Sequence, residues 1–267
     1  MPHAERLDEV LTLQGFTTNR SVRRLLQSRN VTVNGVRVTI PSSPFVRGKD
    51  ILCVDEKTVP TPPNLYIMLN KAQDRVCTHT AGHHASVFDS FPEEIRRPPL
   101  LPVLHSIGRL DLDTEGLLIL TTDGRLSHRM TTPEFRIPKT YLVYLRDELT
   151  DEEKAQYELE VNKGIFIKEY RKTRAFVSAP AKIEWVSHDN PYCTLVSSDG
   201  TREGLNTVCL LTLTEGKFHE VKRIFYALGN EVMFLKRVAF GSLTLDTALL
   251  PGQWRFLTDS EVCELFV

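Results

Sequence analysis

Residues 108–121 read GRLDLDTEGLLILT, a loop dense in charged groups that runs directly into an apolar strand. The first nine of these residues carry three carboxylates, one arginine and two glycines. Loops that a rigid sheet holds in place are common sites for catalytic groups. Carboxylates and glycines in a loop also cap and permit tight turns. The stretch taken alone therefore leaves a catalytic and a structural interpretation open.

The strand after this loop belongs to a predicted sheet. Residues 116–121 and 140–145 are apolar enough to be covered on both faces. Further strands are predicted at residues 65–69, 182–186, 193–196, 207–213 and 231–235. A capping box in residues 150–153 predicts a helix that ends before Gly164. This part of the chain is therefore predicted to be α+β, with a mixed and mainly antiparallel sheet.

Residues 5–49 differ in charge from the rest of the chain. They carry eight basic against three acidic side chains, although the net charge of the whole chain is −1. Helices are predicted at residues 7–11 and 18–26, and Asn34-Gly35 lies between alternating apolar residues as in a two-residue hairpin. The prolines of residues 58–64 suit an extended linker. The basic face is either a solvated surface or a nucleic-acid contact.

The overall composition is that of a folded protein with two domains. The chain has 267 residues, of which 41% are hydrophobic and 25% charged, and this excludes disordered, collagen-like and supercharged classes. Its apolar runs are far shorter than the ~18 residues that span a bilayer. We therefore expect no membrane partner. Its five cysteines are scattered without a CxxC pair, so we expect reduced thiols and a cytoplasmic location. The predicted division is a small domain, residues 1–60, followed by residues 61–267.

Two further groups could take part in chemistry. In residues 218–229 the apolar side chains recur at helical spacing, and a glycine supplies the stop. At about 100° per residue, Lys222 falls on the rim of the apolar face and Arg223 nearly opposite it. A partly buried Lys222 needs an anionic partner, unless its ammonium group extends past the core to water. Tyr141 lies on a buried strand, either as a core residue or as a catalytic group.

Metal-dependent chemistry is disfavoured. Asp111-Leu112-Asp113-Thr114 resembles the opening motif of haloacid-dehalogenase phosphatases, but the next residue is Glu115 and no Gly-Asp pair follows downstream. His79, His83 and His84 could approach a metal ion, but no carboxylate or cysteine completes a ligand set. No metal site is therefore predicted.

Several blocks, in order along the chain, resemble the RsuA-type ribosomal RNA pseudouridine synthases. They are Leu69-Asn70-Lys71, Gly108-Arg109-Leu110-Asp111, residues 114–118 with Thr122-Asp123-Gly124, Lys139-Thr140-Tyr141 and residues 215–219. The two N-terminal helices, with the strands of residues 31–33 and 50–55, resemble an S4 RNA-binding domain. The resemblance covers nearly the whole chain. It implies a small S4-like α+β domain followed by a pseudouridine synthase catalytic domain.

The resemblance also implies a reaction that needs no cofactor. Uracil would leave the ribose C1′, turn, and rejoin the sugar through its C5 atom. Asp111 would stabilise or trap the positive sugar, and Lys222 would keep that carboxylate ionised. Tyr141 would stack on the base and move a proton. We therefore expect a salt bridge between Asp111 and Lys222, and an apolar or aromatic pocket for the everted uridine.

Contacts with RNA are implied for basic residues of both domains. In the S4-like domain these residues are Arg6 on the first helix and Arg20, Arg23 and Arg24 on the second. In the catalytic domain they are Arg109, Lys139, Lys217, His219 and Arg223. The expected partner is ribosomal RNA, in particular that of the small subunit, either naked or in an assembly intermediate. The protein is expected to act as a monomer. The alternative is a non-catalytic RNA-binding or ribosome-assembly factor that retains the fold.

Several features of the sequence depart from the family pattern, among them Leu26-Gln27-Ser28-Arg29, which lacks the usual approach to the S4 strand. Glu220 stands where the family usually has Gln, which replaces a hydrogen-bond donor by a carboxylate. That carboxylate could compete with Asp111 for Lys222 and weaken activity. Residues 197–206 look like an inserted loop, and Ala72 follows the Asn-Lys pair where a proline is common.

Overall fold

The computed structural model describes residues 4–18, 21–80, 82–98, 100–170, 174–193 and 207–266. Within those ranges, no helix has the length and apolar character needed to cross a membrane.

The N-terminal part folds around a core of its own. Its elements are β1 (Glu5–Arg6), α1 (Leu7–Leu13), α2 (Val22–Ser28), β2 (Val31–Val33), β3 (Val36–Arg37), β4 (Pro44–Phe45), β5 (Leu52–Val54) and β6 (Lys57–Val59). The two helices pack on an antiparallel sheet of order β3-β2-β5-β6. Asn34 and Gly35 both have positive φ, at 51° and 79°, as the predicted two-residue hairpin requires.

The larger part begins with β7 (Tyr66–Lys71) and is dominated by one sheet. The elements that follow are β8 (Arg75–Val76), β9 (Ala85–Ser86), α3 (Glu93–Arg96), β10 (His105–Ser106), β11 (Glu115–Thr121), α4 (Gly124–Thr131), β12 (Lys139–Leu145) and α5 (Asp151–Lys163). The remaining elements are β13 (Phe166–Ile167), β14 (Phe176–Val177), β15 (Lys182–Trp185), β16 (Thr207–Leu213), α6 (Glu220–Ala227), β17 (Val232–Phe240), β18 (Leu243–Thr244), β19 (Trp254–Phe256) and α7 (Asp259–Glu264). Two short 3-10 helices cover Val87–Ser90 and Pro133–Phe135.

The sheet runs in the order β15-β16-β12-β17-β11-β7-β19, and in addition β10 pairs with β11 and β18 with β17. Only β11 and β17 pair in parallel within this described sheet, and the other pairs are antiparallel. The predicted α+β class with a mixed, mainly antiparallel sheet is confirmed.

Both faces of the central strand β11 are covered, as its unbroken apolar run predicts. Leu118 and Leu120 join a core that contains residues of α5 and α6, whereas Leu117 and Ile119 face a second core with residues of α4. Successive side chains of a strand point to opposite faces, so two helical layers enclose the sheet. This enclosure holds the loop before β11 on a rigid base.

Some predicted bounds were wrong. The helix α6 begins at Glu220, so Phe218 lies outside it and is 46% exposed. The last long strand, β17, continues to Phe240 instead of ending near residue 235. Most of the predicted strand at residues 193–196 and the whole inserted loop at 197–206 fall outside the described residues.

Hydrogen bonds and ion pairs join the two parts of the chain. The carboxylate of Glu5 accepts a hydrogen bond from Asn64 Nδ2 at 2.8 Å. It also accepts one from Arg47 Nε at 3.0 Å, and the same guanidinium donates to the Leu100 carbonyl at 3.4 Å. Arg125, on α4, reaches back to the Glu9 carboxylate at 3.0 Å and also donates to the backbone carbonyl of Ala4. The helix α1 is therefore tied to the same body as the large sheet.

Candidate active site

A cleft of about 750 Å³ opens between the loop before β11 and the segment that leads from β16 into α6. This volume lies within the ~300–1,000 Å³ typical of small-ligand sites. Apolar groups in its wall include Leu110, Tyr141, Leu213, Val221, Leu235 and Phe240. Charged and polar groups in it include Asp111, Lys139, His219, Glu220, Lys222 and Arg237. The cleft thus offers an apolar floor beside several titratable groups.

Asp111 lines this cleft from the loop that precedes β11. Its side chain is 31% exposed, and its Oδ1 lies 3.6 Å from Nε2 of His219. His219 has a left-handed backbone, with φ 51°, at the residue just before α6. The carboxylate is therefore open to the cleft and faces the start of α6.

The ammonium group of Lys71 fixes the backbone of this loop. It donates hydrogen bonds to the carbonyl oxygens of Leu112 at 3.2 Å, Thr114 at 2.8 Å and its neighbour Ala72 at 3.0 Å. The residue is fully buried at the end of β7. Burial lowers the pKa of Lys71, and the negative groups around it oppose that shift. Lys71 thus anchors the loop that carries Asp111.

The expected salt bridge between Asp111 and Lys222 is absent, because Lys222 pairs with Asp113 instead. Its Nζ lies 2.6 Å from both oxygens of that carboxylate. Burial would raise the pKa of Asp113, but the hydrogen bond and the charge of Lys222 outweigh burial and lower it. The side chain of Lys222 is 25% exposed, so its partial burial and its need for an anionic partner are as the sequence predicts. Only the identity of the partner was wrong.

Tyr141 is buried on β12, directly opposite Arg237 of β17. Burial raises the pKa of the Tyr141 hydroxyl, while the nearby guanidinium opposes that rise. Arg237 is 1% exposed, donates from Nε to the Leu117 carbonyl at 2.7 Å and stacks on Phe240. Arg237 was missed among the predicted site residues because the predicted strand stopped before it. The signal that could have found it is the pair Lys236-Arg237 inside an otherwise apolar run.

Glu220 lines the cleft on the first turn of α6 and is 4% exposed. Its Oε2 accepts a hydrogen bond from the backbone N–H of Lys217 at 2.8 Å. Burial and the neighbouring Glu215 carboxylate raise the pKa of Glu220 to about 8. The expected competition of Glu220 for Lys222 is not seen, because Lys222 is held by Asp113.

The other predicted RNA contacts of the catalytic domain differ in exposure. Arg109 is exposed on the loop that carries Asp111. Lys139 is half-buried, donates to the Ile137 carbonyl at 3.0 Å and lies over a ring in the cleft. Lys217 pairs with Glu215 at 2.6 Å. Arg109 and Lys217 thus keep charge at the rim of the cleft.

The expectation that Arg223 points away from the core was wrong. This residue is 9% exposed, because the β13–β14 hairpin covers it. Its guanidinium donates to the Lys168 carbonyl at 2.7 Å and lies over the ring of Phe176. Arg223 is therefore packed against the hairpin and is not open to RNA.

The basic residues of the first domain lie mostly on its surface. Arg23 and Arg24 are exposed on α2, and Arg6, at the start of α1, is half exposed and paired with Asp8 at 2.6 Å. Arg20 lies outside the described residues.

Among the described residues, no group of three or more His, Cys, Asp or Glu side chains is placed to hold a metal ion. His79 stacks on Phe88 at 3.7 Å between ring centroids and bonds the Leu104 carbonyl at 2.7 Å. Its ring therefore serves packing.

Comparison with known proteins identifies the family of the chain. The model of the RNA pseudouridylate synthase family matches residues 65–227, and that of the S4 domain matches residues 5–51. The chain is 36% identical to the ribosomal small subunit pseudouridine synthase A of Vibrio cholerae, over 98% of this chain and 99% of that protein. It is 34% identical to YtzG of Bacillus subtilis, described as an uncharacterized RNA pseudouridine synthase, over 96% of each.

A solved structure supports the same assignment. It is described as a crystal structure of pseudouridylate synthase and is 31% identical, covers 97% of this chain and 99% of that one, and has a TM-score of 0.61. With its N-terminal S4 domain and the sheet and cleft described above, the chain belongs to the RNA pseudouridylate synthase family.

Proposed function

We propose that this protein isomerises one specific uridine of ribosomal RNA to pseudouridine, with Asp111 as the nucleophile. The small-subunit RNA is the proposed substrate, because the Vibrio cholerae relative is named for that subunit. The observation that carries the proposal is the Asp111 carboxylate, which opens into a cleft with an apolar floor large enough for a nucleoside. An everted nucleotide needs such a pocket.

The proposed reaction breaks one bond and forms another at the same sugar carbon. The C1′–N1 bond breaks, its electron pair leaves with the uracil ring, and positive charge develops at C1′. The Asp111 carboxylate stabilises that charge or attacks C1′ covalently. After the detached uracil has rotated, its C5 atom forms the new bond to C1′. The hydrogen at C5 is then lost as a proton while N1 takes up a proton, so the product has the composition of the substrate and the Asp111 carboxylate is free again.

Tyr141 and Arg237 support this chemistry from beneath the base. The ring of Tyr141 offers an aromatic surface for stacking, and its hydroxyl is the group proposed to move a proton on the sugar. The Arg237 guanidinium is held by the Leu117 carbonyl across the sheet. Its positive charge opposes the rise in the pKa of the Tyr141 hydroxyl that burial causes, which eases proton transfer at this hydroxyl.

The first domain would bind the RNA backbone outside the cleft. We assign residues 1–60 to this domain and residues 61–267 to catalysis. Arg23 and Arg24 are exposed on one helix, where they could meet phosphates, and such contacts make affinity fall with salt. We further propose that the protein acts as a monomer in the cytoplasm, on naked RNA or on an assembly intermediate.

Release of tritium from 5-[³H]-uridine-labelled small-subunit RNA tests the proposal, because the C5 hydrogen leaves in the reaction. We expect release with the wild type, none with Asp111→Asn, and measurable release with the control Asp113→Asn. Equal release by the wild type and Asp111→Asn would remove Asp111 from the mechanism. No release with either would favour a non-catalytic RNA-binding factor.

A further inference from the structure

Two glutamate side chains, which line the same cleft as Asp111, lie close together and take no part in the chemistry derived above. Glu220 is the first residue of α6, and Glu215 lies on the segment between β16 and α6. Their carboxyl groups are within hydrogen-bonding reach of each other. Two ionised carboxylates repel strongly at this distance in a buried place. This arrangement is therefore favoured when one of the two carboxyl groups carries a proton.

The surrounding hydrogen bonds indicate which carboxyl group carries that proton. Glu215 accepts a hydrogen bond from the Ala179 backbone N–H at 2.7 Å, and the ammonium group of Lys217 lies 2.6 Å from its other oxygen. Glu220 receives only the backbone N–H of Lys217, through Oε2. Its Oε1 is buried, and no donor within the described parts of the chain faces it. A buried acceptor without a donor is costly, whereas a protonated Oε1 would itself donate to Glu215.

We infer that Glu220 is a positioning residue: its carboxylic acid donates a hydrogen bond to the Glu215 carboxylate and so holds the start of α6 beside the Asp111 loop. This inference rests on the proposed function. The segment held in this way carries His219, 3.6 Å from Asp111, and the following turn carries Lys222, the partner of Asp113.

Loss of the proton would bring two negative charges face to face inside the fold. Their repulsion would push residues 215–219 away from α6 and move His219 relative to Asp111. Burial, together with the hydrogen bond to Glu215, raises the pKa of Glu220 to about 8, although the Lys217 backbone N–H opposes this rise. The geometry should therefore fail at moderately alkaline pH.

Other titratable groups also face Glu220, and their titration must be distinguished from that of Glu220. They are Glu215 and Lys217 on the preceding segment, and Lys139 and Tyr141 on β12. Burial lowers the pKa of Lys139 and raises that of Tyr141. Either group could therefore give an alkaline transition of its own, and the variant that answers the question is one that changes only Glu220.

The test is the pH profile of kcat/KM and kcat for pseudouridine formation by the wild type and Glu220→Gln. For the wild type we expect activity to fall about tenfold per pH unit above about pH 8. The amide of Glu220→Gln can donate to Glu215 at every pH, so this alkaline limb should disappear or move up by more than about one pH unit. An unchanged limb in Glu220→Gln would overturn the inference and point to Lys139 or Tyr141.

Two further variants separate positioning from a general loss of folding. Glu220→Ala leaves Glu215 without its donor, so we expect reduced activity at every pH, which the glutamine variant restores. Glu184→Gln, at an exposed position of β15, is the matched control and should keep the wild-type profile. Equal activities of Glu220→Ala and Glu220→Gln at all pH values would contradict the proposed hydrogen bond.

A measurement of stability tests the inference without relying on activity. The folded state holds a proton that the unfolded chain releases above about pH 4.5, so the free energy of unfolding should fall with rising pH up to about pH 8. Urea unfolding of Glu220→Gln should lack this decline. If neither protein formed pseudouridine at any pH, the proposed function would fail. A fall in the free energy of unfolding of the wild type would even then show that Glu220 holds a proton in the folded state. A constant difference between the two proteins across this range would overturn the inference.

Discussion

The Nζ of Lys222 lies 2.6 Å from both carboxylate oxygens of Asp113, so its charge is held two residues away from Asp111. The pair ties α6 to the loop before β11. Among the described residues, the ring of His219 is the basic group within 4 Å of the Asp111 carboxylate, at 3.6 Å. A carboxylate that must approach a sugar carbon benefits from this arrangement, because no tightly bound cation has to be displaced first.

Removing the partner of Lys222 should affect catalysis more than folding. The Asp113 side chain is 65% exposed, and exposed ion pairs stabilise proteins by about 1 kcal/mol at most. We expect Asp113→Asn to unfold at nearly the wild-type urea concentration. Its kcat/KM for tritium release should fall roughly tenfold, equal to about 1.4 kcal/mol, because the freed ammonium can bind Asp111. A loss as complete as that of Asp111→Asn would mean that the Lys222–Asp113 pair is itself required for the chemical step.

Lys71→Met should destabilise the fold and loosen the loop that carries Asp111. Three backbone carbonyls lose their charged donor in a buried place, and we expect a cost of about 2–4 kcal/mol in the free energy of unfolding. Urea denaturation measures this loss. Lys57→Met, at an exposed position of β6, is the control and should change stability by less than about 0.5 kcal/mol. Similar midpoints for both variants would refute the anchoring role.

Gly116→Ala should prevent close pairing of β11 with β17. Gly116 has φ 102°, and an added Cβ would lie 2.8 Å from the Arg237 backbone nitrogen and even closer to the Arg237 carbonyl oxygen. Because the obstacle is backbone, we expect a loss of more than about 3 kcal/mol or insoluble protein. Gly124→Ala is the matched control, since nothing lies within 4 Å of its added Cβ. Native-like thermal unfolding of Gly116→Ala would show that the two strands can separate without cost.

Neutralising the exposed arginines of α2 should weaken RNA binding without altering the chemical step. For Arg23→Gln and Arg24→Gln we expect the slope of log Kd against log salt to fall by about one for each phosphate that the variant no longer binds. Saturating kcat should stay at the wild-type value. Lys182→Gln, at an exposed position of β15, is the control. Wild-type affinity and salt dependence in both arginine variants would mean that this helix does not meet the RNA backbone.

The sequence predicts the parts of the fold whose signal is local. The strand β16 has the predicted bounds, and the helix α5 begins directly after Thr150, the first residue of the predicted capping box. The second half of β17 was missed because Lys236 and Arg237 look like loop residues. Both are buried, with Lys236 3.9 Å from Glu115 and Arg237 bonded to the Leu117 carbonyl. The partners that satisfy these two buried charges lie on the neighbouring strand β11, so the sequence of β17 alone does not reveal them.

For the candidate site, the sequence likewise predicts which residues line the cleft but not how they pair. Asp111, Tyr141 and Lys222 do line one cleft, as the order of motifs along the chain suggests. The partner of Lys222 could not be predicted, because Asp111 and Asp113 lie two residues apart on one loop and only the path of that loop decides between them. The helix start at Glu220 depends on the left-handed backbone of His219, which the spacing of apolar residues does not encode.

The hydrogen bonds of Glu5 and Glu9 fix the position of the N-terminal helices relative to the cleft. Since Asn64 binds Glu5, Arg125 binds Glu9 and Arg47 binds the Leu100 carbonyl, the distance from the arginines of α2 to the cleft is set by the fold. An RNA strand bound by the arginines of α2 can place a nucleotide in the cleft only when its own path matches this distance. Selection of the target would then begin as a measurement of length, before any base is recognised.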